Sequence, residues 1–524
     1  MTKKNRWSVA RRAWRVPLLA AALMASAAPA AANQEVTADR LQAALDGLDG
    51  LASRVIQAGG VPGLAIAIVH NDRVVYLKGF GVREADKPEA VDADTVFQLA
   101  SMSKPMASTI VAAIVSSGAA SWDDPVTLHD PEFRVKDSWV TSQVTIRDFF
   151  AHRSGLPGNA GEDLEGVGFE RDEILRRLRY VEPASSLRSH YAYSNIGMTE
   201  GAIAAAKAVD KSWEVAASEL LYRPLEMSST SSRFVDFDSA GNRALLHVKE
   251  GNGWAARFTR QPDAQSPSAG VSSSVRDLAQ WMRLQLGEGM LGTRRVIGAA
   301  ALAETHRPQI AKGANWVTEA PTFYGLGWDV EYDQVGLEFW SHAGAFDRGA
   351  RTFVSLLPAE ELGIVVLSNA FPTGVPEGLV ASFYDLVLNG KLSRNWVSSW
   401  NTAYQTRWDS VTAAGNVYAR PPAQPSPAMP LSAYVGTYRN DYVGELEVAI
   451  GDGSLILRLG PQRKIYILRH FDRDTFTYAQ ERESLAPQEG VTFTIAPDRQ
   501  AQRIALDDLT GDGRWTFTRV SPTR

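Results

Sequence analysis

The chain has 524 residues, of which 45% are hydrophobic and 22% charged, and its formal net charge at pH 7 is -5. This length exceeds what one hydrophobic core usually organises, so we expect more than one domain. Beyond residue 16 the basic residues are scattered among acids, which argues against a nucleic-acid-binding protein, and the absence of cysteine excludes disulfides, thiolate metal sites and cysteine nucleophiles.

The N-terminal residues 1–32 have the pattern of an export signal. Basic residues precede an apolar stretch over residues 16–28, and Ala30-Ala31-Ala32 follows it. The stretch is shorter than the ~20 residues that a membrane-spanning helix needs. We therefore expect cleavage after Ala32 and a periplasmic or secreted protein without a membrane span. Arg11 and Arg12 leave both the general and the twin-arginine export routes open.

Residues 33–390 predict one α+β domain with a mixed arrangement of helices and strands. The residues between 120 and 300 are mostly helical in pattern. The elements that frame this helical region are a helix and a hairpin before it and strands and a helix after it, over residues 37–58, 63–80, 327–368 and 376–388. Strands at both ends of the domain indicate a sheet closed by the two termini of the domain.

The last third of the chain has a different composition. Residues 391–430 predict a helical and proline-rich connection, because five prolines between 421 and 430 make a stiff spacer. Residues 431–524 contain short alternating strands separated by turn signals such as Gly451-Asp452-Gly453. This pattern predicts a small antiparallel β-barrel, with a sandwich as the alternative.

The first candidate reactive group is Ser101 in Ser101-Met102-Ser103-Lys104, at the start of an apolar helix over residues 102–116. A spacing of three residues on a helix places the serine hydroxyl and the lysine amine on one face, within mutual reach. A lysine can act as the base for a serine nucleophile, and the start of the helix supplies N–H groups for an oxyanion. Taken alone this spacing is weak, because it also arises by chance and can be a simple helix cap.

Two further short motifs complete the candidate site. Tyr193-Ser194-Asn195 precedes a helix, where Tyr193 can pass protons and Asn195 can bind a substrate amide. His342-Ala343-Gly344 follows a predicted strand over residues 337–341. Gly344 is expected to let a substrate approach the backbone closely, and the N–H of Ala345 to complete an oxyanion hole. Each motif is usually structural, and their order along the chain is what favours catalysis.

The three motifs resemble those of the penicillin-recognising serine hydrolases, which include class C β-lactamases, D-alanyl-D-alanine carboxypeptidases, D-aminopeptidases and esterases with a β-lactamase fold. Other segments look like landmarks of the same family: residues 97–104, 152–157, 269–278 and 324–328. The resemblance covers about residues 40–390 and implies a β-lactamase/transpeptidase-like antiparallel sheet with helices. Residues 431–520 are similar to a lipocalin-like β domain often appended to these enzymes.

The resemblance implies a role for each motif. Ser101 is acylated, Lys104 and Tyr193 shuttle its proton, Asn195 positions the substrate amide, and the N–H groups of Ser101 and Ala345 hold the oxyanion. His342 stands where β-lactamases carry lysine, which looks more like the carboxypeptidase, aminopeptidase and esterase branches. It is expected to bind the substrate or to tune Tyr193.

The sequence differs from the family pattern at Ala343 and Ala345 as well as at His342. The two alanines stand where the penicillin-binding branches carry hydroxyls that hold a substrate carboxylate. Capture of a carboxylate would then fall to Arg348 or Arg351, whose guanidinium groups suit it. The alternative for these arginines is a surface salt bridge with an acid such as Asp347. The two alanines favour substrates other than penicillins.

The sequence therefore predicts an exported serine hydrolase that cleaves small ester or amide bonds, D-amino-acid peptides included, through a Ser101 acyl-enzyme. We expect the substrate to be a small molecule or a peptide, and fragments of peptidoglycan are one candidate. The alternatives are a class C-like β-lactamase, a D-alanyl-D-alanine carboxypeptidase, and a non-enzymatic penicillin-binding sensor or cell-wall-binding protein. No metal or other cofactor is expected, because no histidine lies in a spaced metal-binding motif.

Overall fold

The computed structural model describes residues 36–414, 417–479, 488–507 and 513–520. The predicted signal peptide over residues 1–32 lies outside the described residues. Within the described ranges, no helix combines the length and the apolar character needed to cross a membrane.

An eight-stranded antiparallel sheet, here called the central sheet, organises the first part of the chain. Its strands, in spatial order, are Arg73–Gly81, Gly63–His70, Leu362–Ser368, Ala350–Leu357, Glu338–Phe346, Asp329–Tyr332, Pro321–Tyr324 and Ile310–Ala314. Along the chain, the first and last strands of this sheet pair directly, with Leu64 opposite Ser368. The prediction of a sheet closed by the two termini of the domain is confirmed.

Helices cover both faces of the central sheet. In strand Gly63–His70, Leu64, Ile66 and Ile68 pack with the first and last helices of the domain, whereas Ala65 and Ala67 belong to the larger core on the other face. Side chains alternate between the two faces of a strand, so a strand buried on both faces is apolar throughout. The helices are Ala38–Gln57, Ser103–Ser116, Val126–His129, Ser138–Gln143, Ile146–Phe150, Glu162–Gly166, Arg171–Arg177, Asn195–Lys207, Trp213–Ala217, Phe234–Ser239, Ser266–Ala269, Val275–Leu286, Ala299–His306, Val375–Asn389 and Trp396–Ala414.

Short strands complete this region: Phe97–Gln98 with Ser272–Ser273, Ala370–Phe371 with His247–Glu250 and Gly253–Ala256, and Met290–Leu291 with Arg294–Arg295. The predicted hairpin is present, and Asn71 and Asp72 in its turn both have positive φ, at 50° and 55°. Such a turn suits the twist of the two strands.

The C-terminal residues form a second antiparallel sheet of nine strands, here called the C-terminal sheet. In spatial order its strands are Lys464–Ile467, Ser454–Leu459, Gly444–Gly451, Gly436–Asn440, Thr516–Arg519, Ala501–Leu506, Glu489–Ile495, Thr475–Tyr478 and Arg469–Asp472. The two edge strands are consecutive along the chain and are separated by Leu468 alone. The sheet is therefore nearly closed, as predicted for a barrel.

The C-terminal sheet is fixed to the first part of the chain through Asp163, which is buried. One carboxylate oxygen of Asp163 accepts a hydrogen bond from the Tyr442 hydroxyl at 2.5 Å, and the other accepts from the Trp515 indole at 2.7 Å. The Tyr442 hydroxyl in turn accepts from the backbone N–H of Gly161 at 3.1 Å. We call these four residues the Asp163 cluster.

Candidate functional site

Ser101 lies in a tight turn, Ala100–Met102, immediately before helix Ser103–Ser116. Ala100 has a positive φ of 49°. The turn is pressed against strand Glu338–Phe346: a Cβ on Gly344 would lie 2.1 Å from the carbonyl oxygen of Leu99. Gly344 therefore lets the serine turn approach the strand closely, and a close approach of substrate at Gly344 stays a prediction.

Lys104 is fully buried, and three oxygen atoms lie within hydrogen-bonding distance of its side-chain nitrogen. Nζ lies 3.0 Å from Ser101 Oγ, 2.5 Å from Asn195 Oδ1 and 2.9 Å from the carbonyl oxygen of Ser268. The last two atoms can only accept hydrogen bonds, so they take two N–H groups. The third position of the amine points at Ser101, as either an N–H or a lone pair. We call these four residues the lysine cluster.

The segment Tyr193-Ser194-Asn195 is fixed by a helix cap. Ser194 is the N-cap of helix Asn195–Lys207, and its side chain accepts from the N–H of Gly197 at 3.1 Å. Asn195 is thus the first helical residue, and its oxygen faces Lys104, which leaves its amide nitrogen for another acceptor. Burial raises the pKa of Tyr193, a shift that its hydrogen bond with Ser101 partly opposes. Tyr193 is therefore a phenol at neutral pH, with its ring 4.5 Å from Lys104 Nζ.

His342 lies inside strand Glu338–Phe346 and not after its end, as the sequence had suggested. The strand continues over the small residues 343–345 because they pair with strand Ala350–Leu357. Nδ1 of His342 lies 2.7 Å from the carbonyl oxygen of Ala343, so Nδ1 carries the hydrogen, and Nε2 accepts from the Tyr324 hydroxyl at 2.9 Å. Burial lowers the pKa of His342 to about 3. His342 is neutral at physiological pH, and both of its ring nitrogens are engaged.

Two aromatic residues of the site were missed as functional candidates. The ring of His152 lies 4.5 Å from that of Tyr193, and its Nδ1 accepts from the N–H of Ser194 at 3.1 Å. Tyr324 contacts both His152 and His342. Both belong to segments already identified as family landmarks, 152–157 and 324–328, and that was the signal for them. They hold the Tyr193 loop in place.

Ser101 opens onto a cavity of about 600 Å³. Tyr193, His342, Ala343 and Ala345 also line it. A cavity of about 720 Å³ elsewhere in the described part of the chain contains none of the predicted site residues. Ser101, Tyr193 and Ala345, the predicted nucleophile, proton carrier and second oxyanion donor, therefore line one cavity.

The two candidate arginines lie in different surroundings. Arg351 lines the cavity opposite Ala345, is 6% exposed, and forms a buried ion pair with Glu377. Arg348 is not among the described residues that line the cavity; it donates to the carbonyl oxygen of Thr259 and lies over the ring of Phe258. Of the two arginines, only Arg351 lines the cavity that contains Ser101.

Part of the cavity wall comes from the segment that the sequence predicted as a connection. Helix Trp396–Ala414 packs against helix Val375–Asn389 and contributes Trp400, Tyr404 and Arg407 to the lining. Within the described ranges, no group of three or more His, Cys, Asp or Glu side chains could hold a metal ion.

Comparison with known proteins relates two regions of the chain to protein families. The sequence profile of the Beta-lactamase family matches residues 41–388, and that of a domain of unknown function, DUF3471, matches residues 420–519. Unguisins hydrolase ungD' of Aspergillus campestris is 24% identical over 403 residues, which cover 73% of this chain and 72% of that protein. Protein flp of Staphylococcus aureus is 23% identical over 376 residues, 70% of each chain.

Among solved structures, the octameric penicillin-binding protein homologue from Pyrococcus abyssi is similar in fold. The TM-score is 0.57 at 19% sequence identity, and the alignment covers 91% of this chain and 100% of that chain. At this identity the likeness concerns the fold alone. The predicted β-lactamase/transpeptidase-like fold is confirmed.

Proposed function

The chain belongs to the Beta-lactamase family of serine hydrolases, and on that premise we propose that it cleaves small ester or amide bonds, those of D-amino-acid peptides included, through an acyl-enzyme on Ser101. The observation that carries the proposal is the lysine cluster. Asn195 Oδ1 and the carbonyl oxygen of Ser268 each accept one N–H of Lys104. The remaining bonding direction of the Lys104 nitrogen points at Ser101 Oγ. A neutral amine held in this way presents its lone pair to the serine hydroxyl.

Acylation then follows from the positions of these groups. Ser101 Oγ forms a bond to the substrate carbonyl carbon while its proton passes to Lys104 Nζ. The N–H groups of Ser101 and Ala345 stabilise the negative charge that develops on the carbonyl oxygen. The bond to the leaving group breaks, and Lys104 and Tyr193 return the proton to that group.

Deacylation reverses the proton movement. A water molecule attacks the acyl carbon and gives its proton to Lys104 Nζ. The acid product then leaves as Ser101 Oγ takes that proton back and is restored as a hydroxyl. His342 takes no proton at neutral pH, because burial holds its pKa at about 3. Its contribution is to hold Tyr324 and the strand in register.

The cavity supports substrates other than penicillins. Ala343 and Ala345 carry no hydroxyl, and the guanidinium of Arg351 is already paired with Glu377. A substrate carboxylate would have to compete with that buried carboxylate, at a cost in desolvation. Peptides and esters without such a carboxylate suit the cavity better.

Labelling of the nucleophile tests the proposal. A fluorophosphonate probe should modify Ser101, identified by peptide mass spectrometry, and Ser101→Ala should abolish the labelling. An unlabelled wild-type protein with an intact thermal unfolding transition contradicts the proposal. Turnover of nitrocefin at a rate comparable with that of simple esters would favour a β-lactamase instead.

We also propose that the chain is exported and that its C-terminal sheet is lipocalin-like. The first rests on residues 1–32 of the sequence, and the second on the nearly closed arrangement of nine strands. N-terminal sequencing of the mature protein should begin after Ala32. An intact Met1 on the soluble protein contradicts export.

A further inference from the structure

Six charged residues of the described chain line the cavity around Ser101, and most of them pair with one another. They are Lys312, Asp329, Glu331, Arg351, Glu377 and Arg407. Arg351 forms an ion pair with Glu377, and Lys312 Nζ lies 2.6 Å from Asp329 Oδ1. The guanidinium of Arg407 lies over the ring of Trp316, 4.4 Å from the ring centroid. Glu331 is the acid of this set to which the described residues supply no ion pair.

Glu331 faces the cavity because of its place in strand Asp329–Tyr332. Side chains alternate between the two faces of a strand. Asp329 and Glu331 are partly exposed, whereas Val330 between them is buried. Glu331 therefore lies on the same face as Asp329 and retains accessible surface in the cavity that also contains Ser101.

The donors around the carboxyl group of Glu331 are uncharged. Asn315 Nδ2 lies 3.3 Å from one carboxyl oxygen and 3.1 Å from the other, and the Thr322 hydroxyl lies 3.5 Å from the first. Burial raises the pKa of Glu331 to about 7, and the charge of Asp329 adds to the rise. A charged donor from a ligand would stabilise the ionised carboxylate, because charge-assisted hydrogen bonds are stronger than neutral ones.

The register of the central sheet shows how far Glu331 lies from the reacting groups. Glu331 is opposite Phe339 in strand Glu338–Phe346, and Ala345, the predicted oxyanion donor, lies further along that strand. At about 3.3 Å per residue, positions 339 and 345 are about 20 Å apart. The Glu331 side chain can shorten this span, so a ligand group at Glu331 lies roughly 10–20 Å from the carbonyl that Ser101 attacks.

We propose that Glu331 determines specificity for substrates that carry an ammonium group roughly 10–20 Å from the bond that Ser101 cleaves. The ammonium group donates to the Glu331 carboxylate, while Lys312 remains on Asp329. This inference rests on the proposed function and adds a substrate class to it. The substrate is extended, and its amine is that of a basic side chain or of the N-terminus of a short peptide.

Two matched pairs of esters test this assignment in the full-length protein. In the first pair, ω-aminooctyl acetate and nonyl acetate, an ammonium or a methyl group ends the alcohol part. In the second pair, methyl ω-aminononanoate and methyl decanoate, the same two groups end the acyl part. In both amino esters the nitrogen lies about 12 Å from the ester carbonyl when the chain is extended. Titration of the released acid at constant pH measures hydrolysis.

The wild type should prefer the amino ester to its uncharged partner in one of the two pairs. We expect a factor of at least about ten in kcat/KM, which is what a hydrogen bond between charged groups supplies. A preference in the first pair places the alcohol part of the substrate at Glu331, and a preference in the second places the acyl part there.

A variant and a matched control locate the preference. Glu331→Gln removes the charge but keeps an oxygen for Asn315, and it should bring the ratio of kcat/KM within that pair close to one. Glu338→Gln changes a carboxyl group on the neighbouring strand, which accepts from the Trp340 indole at 2.6 Å and is not among the described residues that line this cavity. This control should keep the wild-type ratio. Thermal unfolding shows whether both variants are folded.

The pH dependence of the ratio tests the same group in the wild type, without any substitution. The groups that face Glu331 are Asn315, Thr322, Asp329 and Lys312. Glu331 has a pKa of about 7 and loses its charge on protonation, whereas an aliphatic amine, with a pKa of about 10.4, stays charged. The ratio should therefore fall as the pH decreases from about 8.5 to about 5.5. Protonation of the catalytic groups affects both esters and cancels in the ratio.

The outcomes separate this specificity from the chemistry at Ser101. Equal kcat/KM within both pairs, a wild-type ratio in folded Glu331→Gln, or a ratio that does not change with pH overturns the assignment of Glu331 alone. The same holds if neither amino ester is hydrolysed by a protein whose Ser101 is labelled by fluorophosphonate. An unlabelled Ser101 together with no hydrolysis of any of the four esters overturns the proposed function itself.

Discussion

The lysine cluster and the Asp163 cluster are both buried and polar, but they use their hydrogen bonds differently. In the Asp163 cluster, both carboxylate oxygens accept from side chains in turns next to strands of the C-terminal sheet. In the lysine cluster, two bonds of Lys104 go to fixed acceptors and the third goes to a hydroxyl that faces a cavity. The first arrangement joins two parts of the chain, whereas the second leaves one group available for reaction.

Ser101→Ala should have the largest effect on activity and almost none on folding. Removing the nucleophile should lower kcat by at least about a thousandfold, because acylation has no other acceptor, while the thermal unfolding temperature stays near that of wild type. Ester hydrolysis and calorimetry measure the two quantities.

Ser103→Ala is the matched control for that variant. The Ser103 hydroxyl donates to the carbonyl oxygen of Ala100 and accepts from the N–H of Val271, so its loss should lower stability and leave Ser101 reactive. Substantial hydrolysis by Ser101→Ala would show that the lysine cluster does not hold the nucleophile.

Lys104→Met should lower kcat by roughly a hundredfold to ten-thousandfold, the range expected for loss of a general base. The side chains are similar in length, so the main change is the loss of the amine. The rate at which a fluorophosphonate labels Ser101 measures the resulting loss of serine reactivity directly. Lys207→Met is the control: it removes a half-exposed lysine that pairs with Asp130, and Ser101 in this variant should be labelled at the wild-type rate. Labelling of Lys104→Met at that same rate would remove Lys104 from the mechanism.

Tyr442→Phe tests whether the Asp163 cluster only joins the two parts of the chain. The change removes the bond to Asp163 and the acceptor for the N–H of Gly161. We expect the free energy of unfolding to fall by about 1–3 kcal/mol in urea titrations, with kcat/KM within about twofold of wild type. A fall of tenfold or more in kcat with the protein fully folded would show that the two clusters are coupled.

The last effect expected is on the pH dependence of stability. His342 has a pKa of about 3 when folded, against about 6.5 when unfolded. The unfolded chain therefore binds a proton that the folded chain does not, and stability falls as pH decreases from about 6.5 towards 3. His342→Gln should make this fall shallower in urea titrations at several pH values. An equal slope in both proteins would contradict the neutral state of His342.

Several features followed from the sequence alone, because they depend on neighbouring residues. Apolar spacing determined helix Ala38–Gln57, and the Asn71-Asp72 turn determined the hairpin. The spacing of Ser101 and Lys104 placed both groups on one helical turn, as the distance of 3.0 Å between them shows. In these cases the local conformation fixes the geometry, whatever the rest of the fold does.

Only the tertiary structure decided which distant groups meet. Strand Glu338–Phe346 continues past His342 because strand Ala350–Leu357 pairs with it. Arg351 forms its ion pair with Glu377, which is 26 residues further along the chain. Helix Trp396–Ala414 looked like a connection, yet its packing makes it a wall of the cavity. Side-chain periodicity shows which face of an element is buried but not what lies against it, so pairing and partners could not be predicted from the sequence.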